Sequence, residues 1–337
     1  LRLSTSLQKN ILEATAGRVL NRFRIRSRRD TLFFEEIPAY YIKACEEAGY
    51  SADMRDIGQQ WGYLITDKLL PAAMRRLPTS FVLNDVMRNV WANLGLMDDL
   101  SACVQGNIIT FDTKNESITR FIGENQFTVG LHTGIFCALL GRRVDNVEAI
   151  QTKDACKYRF EVSDDVYSVP GKDKAAYDRL NSIPGSAGPA LKGALKAGVF
   201  QLTDSNRLYF RGRRVVTIEN TIFHLVGRRA IRLDEVQEVS HRFFAEVVEP
   251  DSSNEEKLNL LKTLLQVMGW GIVSIAVEGK RVCVDIKYPP CGLQAEKEDW
   301  GFLARAVLGY MWLMDEGFRL AGVSESGSDL SILFESG

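Results

Sequence analysis

Apolar and polar positions along this chain follow two periods, and the order in which those periods succeed one another occurs twice. In the first half, helical spacing marks residues 36–48, 52–76 and 81–95. Within the second of these, Ile57, Trp61, Leu64 and Ile65 share a face, and the Ser51 hydroxyl is placed to cap the first turn. Alternation with period two then predicts a strand pair, Leu100–Val104 and Asn107–Phe111, turned at Gln105-Gly106. An apolar helix over 124–140 and strands over 144–151 and 156–162 complete the unit. The second half gives helices near 214–226, 232–248 and 255–268, strands near 271–277 and 281–287, a helix near 296–315, and strands near 318–324 and 329–334.

Landmarks tie the two series together. Leu32-Phe33-Phe34 matches Leu208-Tyr209-Phe210, Pro71 matches Pro250, Gly95 matches Gly269, Gly141 matches Gly317, and Phe160-Glu161 matches Phe334-Glu335, at offsets between 174 and 179 residues. The expected fold is α+β: two tandem units, each of helices followed by ββαββ, packed as a pseudo-twofold pair. The expected organisation is an N-terminal helix within 1–22 (helical spacing over 4–20), a first domain over 23–163, a linker over 164–197 and a second domain over 198–337. Ser182-Ile-Pro-Gly-Ser-Ala-Gly-Pro in the linker is too rich in turn residues for a regular element.

The 337 residues suffice for two cores, and 45% hydrophobic with 25% charged residues is ordinary globular composition. A net charge of −1 argues against a dedicated nucleic-acid binder. No apolar run approaches the ~20 residues that span a bilayer. Six cysteines (45, 103, 137, 156, 283 and 291) without Cys-x-x-Cys spacing suggest reduced thiols in a cytoplasmic protein. From Arg22 to Arg29, Phe23 and Ile25 alternate with arginine, the period of an extended arm. Such a segment is more often an edge strand protected by charge. Its functional use is contact with an anionic surface (an acidic partner, phosphate or membrane headgroups), and Arg24, Arg26, Arg28 and Arg29 are the candidates for partner contact.

The run Gly130-Leu-His-Thr-Gly-Ile-Phe-Cys-Ala-Leu-Leu-Gly-Arg-Arg-Val, leading to Asp154-Ala-Cys-Lys-Tyr-Arg-Phe-Glu, resembles the 4-vinyl reductase domain, a family related in fold to the small subunits of the TRAPP tethering complex. The matching positions are Gly130, Gly134, Leu140, Gly141, Arg142, Asp154, Cys156 and Phe160, so the resemblance covers about 23–162 and extends more weakly to 198–335. It implies a module that holds a small apolar or tetrapyrrole-related molecule. Some members of the family bind zinc with a cysteine about eight positions before the one at Cys156. Glu148 stands there in this chain, a poor zinc set, so no metal is expected.

The ligand candidates on this resemblance are Trp61, Trp91, Gly130, His132, Gly134 and Cys137. Gly130 and Gly134 share a helical face. Close backbone packing is the commoner use of such a pair, and room for a ligand the functional one. Leu308-Gly-Tyr-Met-Trp-Leu-Met is bulkier than its counterpart Thr133-Gly-Ile-Phe-Cys-Ala-Leu, which suggests that the second unit fills with side chains the space the first leaves open. No nucleophile elbow, P-loop, dinucleotide fingerprint or His-Glu-x-x-His occurs, and Glu35-Glu36 and Asp98-Asp99 read as charged turns, so no catalytic residues are assigned. Three functions follow: a non-enzymatic binding or adaptor protein that docks a protein partner and leaves homo-oligomerisation open; an accessory protein or enzyme of (bacterio)chlorophyll or other tetrapyrrole synthesis; and a structural assembly subunit with both cavities filled.

Overall fold

The computed structural model describes residues 13–14, 28–29, 31–71, 73–88, 91–92, 95–182, 191–203 and 207–337. The chain is α+β, with three four-stranded antiparallel sheets among the described residues. Arg24 and Arg26 lie outside the described residues, as does most of the helix expected over 4–20. Where that helix is described, at β1 (Glu13–Ala14), the backbone is instead extended and pairs with β2 (Arg28–Arg29).

The first long-range strand is β3 (Thr31–Phe34), all four residues buried. It leads into α1 (Glu36–Glu47) and α2 (Ser51–Leu69). α2 stops before Pro71, earlier than the periodicity suggests, because Leu70 is pushed to extended geometry by the proline that follows. The third helix expected over 81–95 starts at Thr79–Phe81, passes through a π-helical segment at Val82–Met87, and is α-helical again at its described residues 88 and 91–92.

β4 (Asp99–Gln105) and β5 (Ile108–Lys114) then form a hairpin around Gly106-Asn107, one residue later than expected, with Gly106 at φ +59°. Helix α3 (Gln126–Leu140) is capped by the Asn125 side chain and closed by Gly141 in left-handed geometry. β6 (Arg142–Gln151) and β7 (Ala155–Val166) complete a sheet of order β4-β5-β7-β6.

The expected linker is ordered over its described part. Gly171 bridges to Gln294, and the Lys172 ammonium donates to the Gly292 and Gln294 carbonyls and pairs with Glu298 at 2.8 Å. Short helices occupy Lys174–Leu180 and Leu191–Lys196.

The helix expected near 214–226 is divided. Residues Arg213–Ile218 form a strand, β10, because Val215-Val216-Thr217-Ile218 is a β-branched run with strand neighbours on both sides. β8 (Phe200–Leu202) and β9 (Leu208–Phe210) build one side, and β3 from the first half pairs on the other, with Phe34 opposite Val215 and Thr31 opposite Ile218. α4 (Thr221–Arg229), α5 (Leu233–Val247) and α6 (Asn254–Val267) follow, α6 opened by a Ser253/Glu256 capping box. β11 (Ile272–Glu278), β12 (Arg281–Lys287), α7 (Gly301–Met311), β13 (Phe318–Ser326) and β14 (Asp329–Ser336) end the chain, in a sheet of order β11-β12-β14-β13.

The cores do not follow a simple division at the linker. Leu32, Phe33, Phe34, Tyr41 and Trp61 belong to one continuous apolar cluster with the helices and sheet of the second half. Phe33 touches the Phe223, Trp270 and Phe302 rings, and Phe34 those of Phe210, Phe243 and Phe244. A second cluster lies between α3 and its own sheet. Polar contacts join the halves as well: Tyr41 donates to the Ile231 carbonyl at 2.6 Å, Thr31 to Asn220 at 2.7 Å, and Asp56 pairs with Arg229.

Candidate functional site

A cavity of about 50 Å³ sits between α2, α3 and the start of α4. Trp61 and Ile65 of α2, Trp91, and Leu131, His132 and Ile135 of α3 line it, with Ile218 and Ile222 closing it from the second half. Three of the six residues expected around a ligand, Trp61, Trp91 and His132, therefore meet here. Trp61 stacks on Phe127 and donates from its indole nitrogen to Glu219 at 3.3 Å, so one wall is held across the two halves.

The other three do not line the space. A Cβ on Gly130 would lie 2.0 Å from the Arg55 carbonyl oxygen, and one on Gly134 2.0 Å from that of Gln59. Both glycines thus serve close packing of α3 on α2. Cys137 is buried against the first sheet and points to the Val144 carbonyl, with its thiol pushed up to about 11 by burial.

What sequence reading missed is Glu116, just beyond β5. It is 3% exposed and accepts four hydrogen bonds: from Thr113 (2.6 Å) and His132 Nε2 (2.8 Å) on one oxygen, and from Thr119 (2.9 Å) and Tyr158 (2.7 Å) on the other. Burial pushes this carboxyl up, but the adjacent His132 and the other donors outweigh it and hold the group down at about 2. Tyr158 is pushed well above its ordinary range by burial and by that carboxylate. Gln151 donates to Tyr158 at 3.0 Å and accepts from the backbone of Asn125 at 2.9 Å, which carries the network to the N-cap of α3. The available signal was the spacing Thr113-x-x-Glu116-x-x-Thr119 ahead of a histidine-bearing helix.

With Nε2 engaged by Glu116, the second imidazole nitrogen, Nδ1, is buried and has no hydrogen-bond partner among the described residues. The histidine is fixed by Phe111 and Tyr158, whose ring centroids lie 4.8 and 4.9 Å away. Among the described residues no group of three His, Cys, Asp or Glu could hold a metal. Cys156 is pushed up to about 12 by burial and by Glu116, so it stays a thiol rather than a thiolate ligand.

Beside the cavity, Ser117 donates to Glu35 at 3.2 Å, and Glu35 pairs with Arg120. Glu35 lies in the charged turn expected ahead of α1, and is 1% exposed there. Asp98 likewise pairs with Arg207 across the halves, and Arg214 donates to the Gly95 carbonyl at 2.9 Å. The remaining histidines differ from His132. Both nitrogens of His224 are held by the Asp299 and Pro290 carbonyls. His241 lines an open surface groove of about 300 Å³ with Trp312 and Lys257, away from any buried acid.

The second large sheet repeats the register without the polar network. Phe111 pairs with Tyr158 where Val284 pairs with Ile332. Gly134 packs on Gln59 O and Tyr63 N, and Gly309 packs on Gln237 O and His241 N, so Val307 stands where His132 does. Two residues beyond the respective strand ends, Pro289 stands where Glu116 does. The corresponding space, about 40 Å³, is lined by Phe34, Leu265, Ala306, Val307 and Tyr310. No protein-family model and no curated protein matches the chain.

Proposed function

We propose that the chain is a non-enzymatic binding module built as a tandem pair of 4-vinyl reductase/TRAPP-like units, of which the first holds a small ligand and the second is structural. The observation that carries this reading is the contrast at matched positions: Glu116 and His132 line one cavity, with Tyr158 hydrogen-bonded to Glu116, whereas Val307 lines the other and Pro289 and Ile332 stand at the positions of Glu116 and Tyr158. A buried ionised acid and imidazole are costly to desolvate, whereas the apolar set of proline, valine and isoleucine is free of that cost. Retention of the costly set on one side alone favours a use for it. The tandem reading is supported by the shared strand order and by the register of β3 on β10, in which Thr31–Ile218 and Phe34–Val215 exchange under a twofold rotation. Partner docking remains assigned to the arm arginines 24, 26, 28 and 29 on their alternation in sequence.

Native mass spectrometry tests the ligand half. Protein purified without denaturation is expected to carry a small bound mass that Ile135→Trp, which fills the cavity, removes. Absence of any bound mass, together with no binding of apolar probes, overturns it. The reading as a structural assembly subunit is favoured by one observation, the cavity's size: about 50 Å³ against the ~300 Å³ at which ordinary ligand pockets begin. A tetrapyrrole, in the accessory role, needs α2 and α3 to part.

A further inference from the structure

The cavity has a specific polar demand, and this inference rests on the ligand-holding reading above. Glu116 is saturated by four donors, and as an ionised carboxylate it can only accept. His132 Nε2 must therefore donate to it, and in the neutral imidazole that leaves Nδ1 as a lone-pair acceptor. Nδ1 has no hydrogen-bond partner among the described residues, and His132 is 1% exposed on a wall otherwise made chiefly of isoleucine, leucine and tryptophan. An acceptor left unmade in such surroundings is destabilising, because it has given up water for nothing. A molecule that supplies the missing donor recovers that cost, and one that does not leaves it standing.

The size of the space limits the rest of the molecule. A dry cavity of about 150 Å³ accommodates a benzene ring. At about 50 Å³ this one admits a compact aliphatic body and excludes a ring without rearrangement. We propose that the first unit binds a short aliphatic molecule carrying one O–H donor, an alcohol or a protonated carboxylic acid, with the O–H given to His132 Nδ1 and the hydrocarbon laid against Trp61, Ile65, Leu131 and Ile135.

The test is NMR on the full chain, with ¹⁵N-labelled histidine and ¹³C-labelled Ile and Leu methyls, titrated with ethanol, its isomer dimethyl ether, acetic acid, phenol and xenon. The alcohol is expected to move the His132 Nδ1 resonance upfield and to bind about tenfold more tightly than the ether, the ratio that one net hydrogen bond of about 1.4 kcal/mol gives. Acetic acid in place of ethanol identifies the acid as the source of the O–H. His132→Gln, which keeps an amide donor toward Glu116, is expected to level alcohol and ether. If that variant fails to fold, the wild-type nitrogen shift still decides the matter. Equal affinity of alcohol and ether with an unmoved Nδ1 overturns the inference, and so does tighter binding of phenol than of ethanol. A xenon response at the Ile65, Leu131 and Ile135 methyls in those cases leaves the cavity reading standing. No response to xenon or to any organic probe overturns both.

Discussion

Glu116 is a carboxylate that has exchanged water for four protein donors, and its protonation state is tied to the fold. Its ordinary value is 4.5, and the folded protein holds it near 2. The stabilisation is therefore fully present above about pH 4.5 and is lost as pH falls from there toward 2. Thermal unfolding across pH 2–7 is expected to show that loss in the wild type. Glu116→Gln is expected to be about 3–5 kcal/mol less stable at neutral pH, the effect of removing one partner from a buried pair, and to lack the acid-side component. An unchanged acid limb in the variant would show that another carboxylate carries it. At this scale the sequence was only partly legible. Trp61, Trp91 and His132 could be named because large rings and a lone histidine stand out on amphipathic helices. Glu116 could not, because Lys-Asn-Glu-Ser reads as a solvated loop until the strand and helix on either side are folded together.

The packing of α2 on α3 is a ladder of four glycines. Cβ atoms at Gly58 and Gly62 would lie 2.2 Å from the Phe127 and Leu131 carbonyl oxygens, and those at Gly130 and Gly134 2.0 Å from their counterparts on α2. Backbone against backbone leaves nothing that can yield, so Gly134→Ala is expected to cost about 1–3 kcal/mol or more in chemical denaturation. Gly193→Ala, in a helix with open space around the position, is expected to be neutral or to stabilise by up to about 1 kcal/mol. The helical half of this ladder on α3 was visible as Gly130-x-x-x-Gly134. Its other half, Gly58-x-x-x-Gly62, carries the same spacing and needed only to be matched to it. Most elements were legible for such local reasons: α3 ends at a glycine, and β4–β5 turns at Gly106-Asn107. β10 was not, because Arg-Arg-Val-Val-Thr-Ile runs into α4 with only Glu219-Asn220 between, and helical and extended periods overlap across the join.

The two halves of the molecule are interlocked through β3, whose Phe33 and Phe34 insert into the aromatic core of the second half. Either half expressed alone exposes those faces and an unpaired strand edge, the combination that favours aggregation. Residues 31–182 and 191–337 produced separately are expected to be insoluble or molten, and produced together to copurify as one folded complex. Two independently soluble, cooperatively unfolding fragments would show that the interlock is dispensable. The pairing also sets an order of events during synthesis. Thr31 and Asn220, which hydrogen-bond in the finished protein, are 189 residues apart, and such remote contacts form late because a long loop must close first. With elongation at about 5–20 residues per second, the β3 strand leaves the ribosome on the order of ten seconds before its partner exists. Throughout that interval its two phenylalanines need temporary cover, which makes this chain a natural client of whatever shields nascent chains.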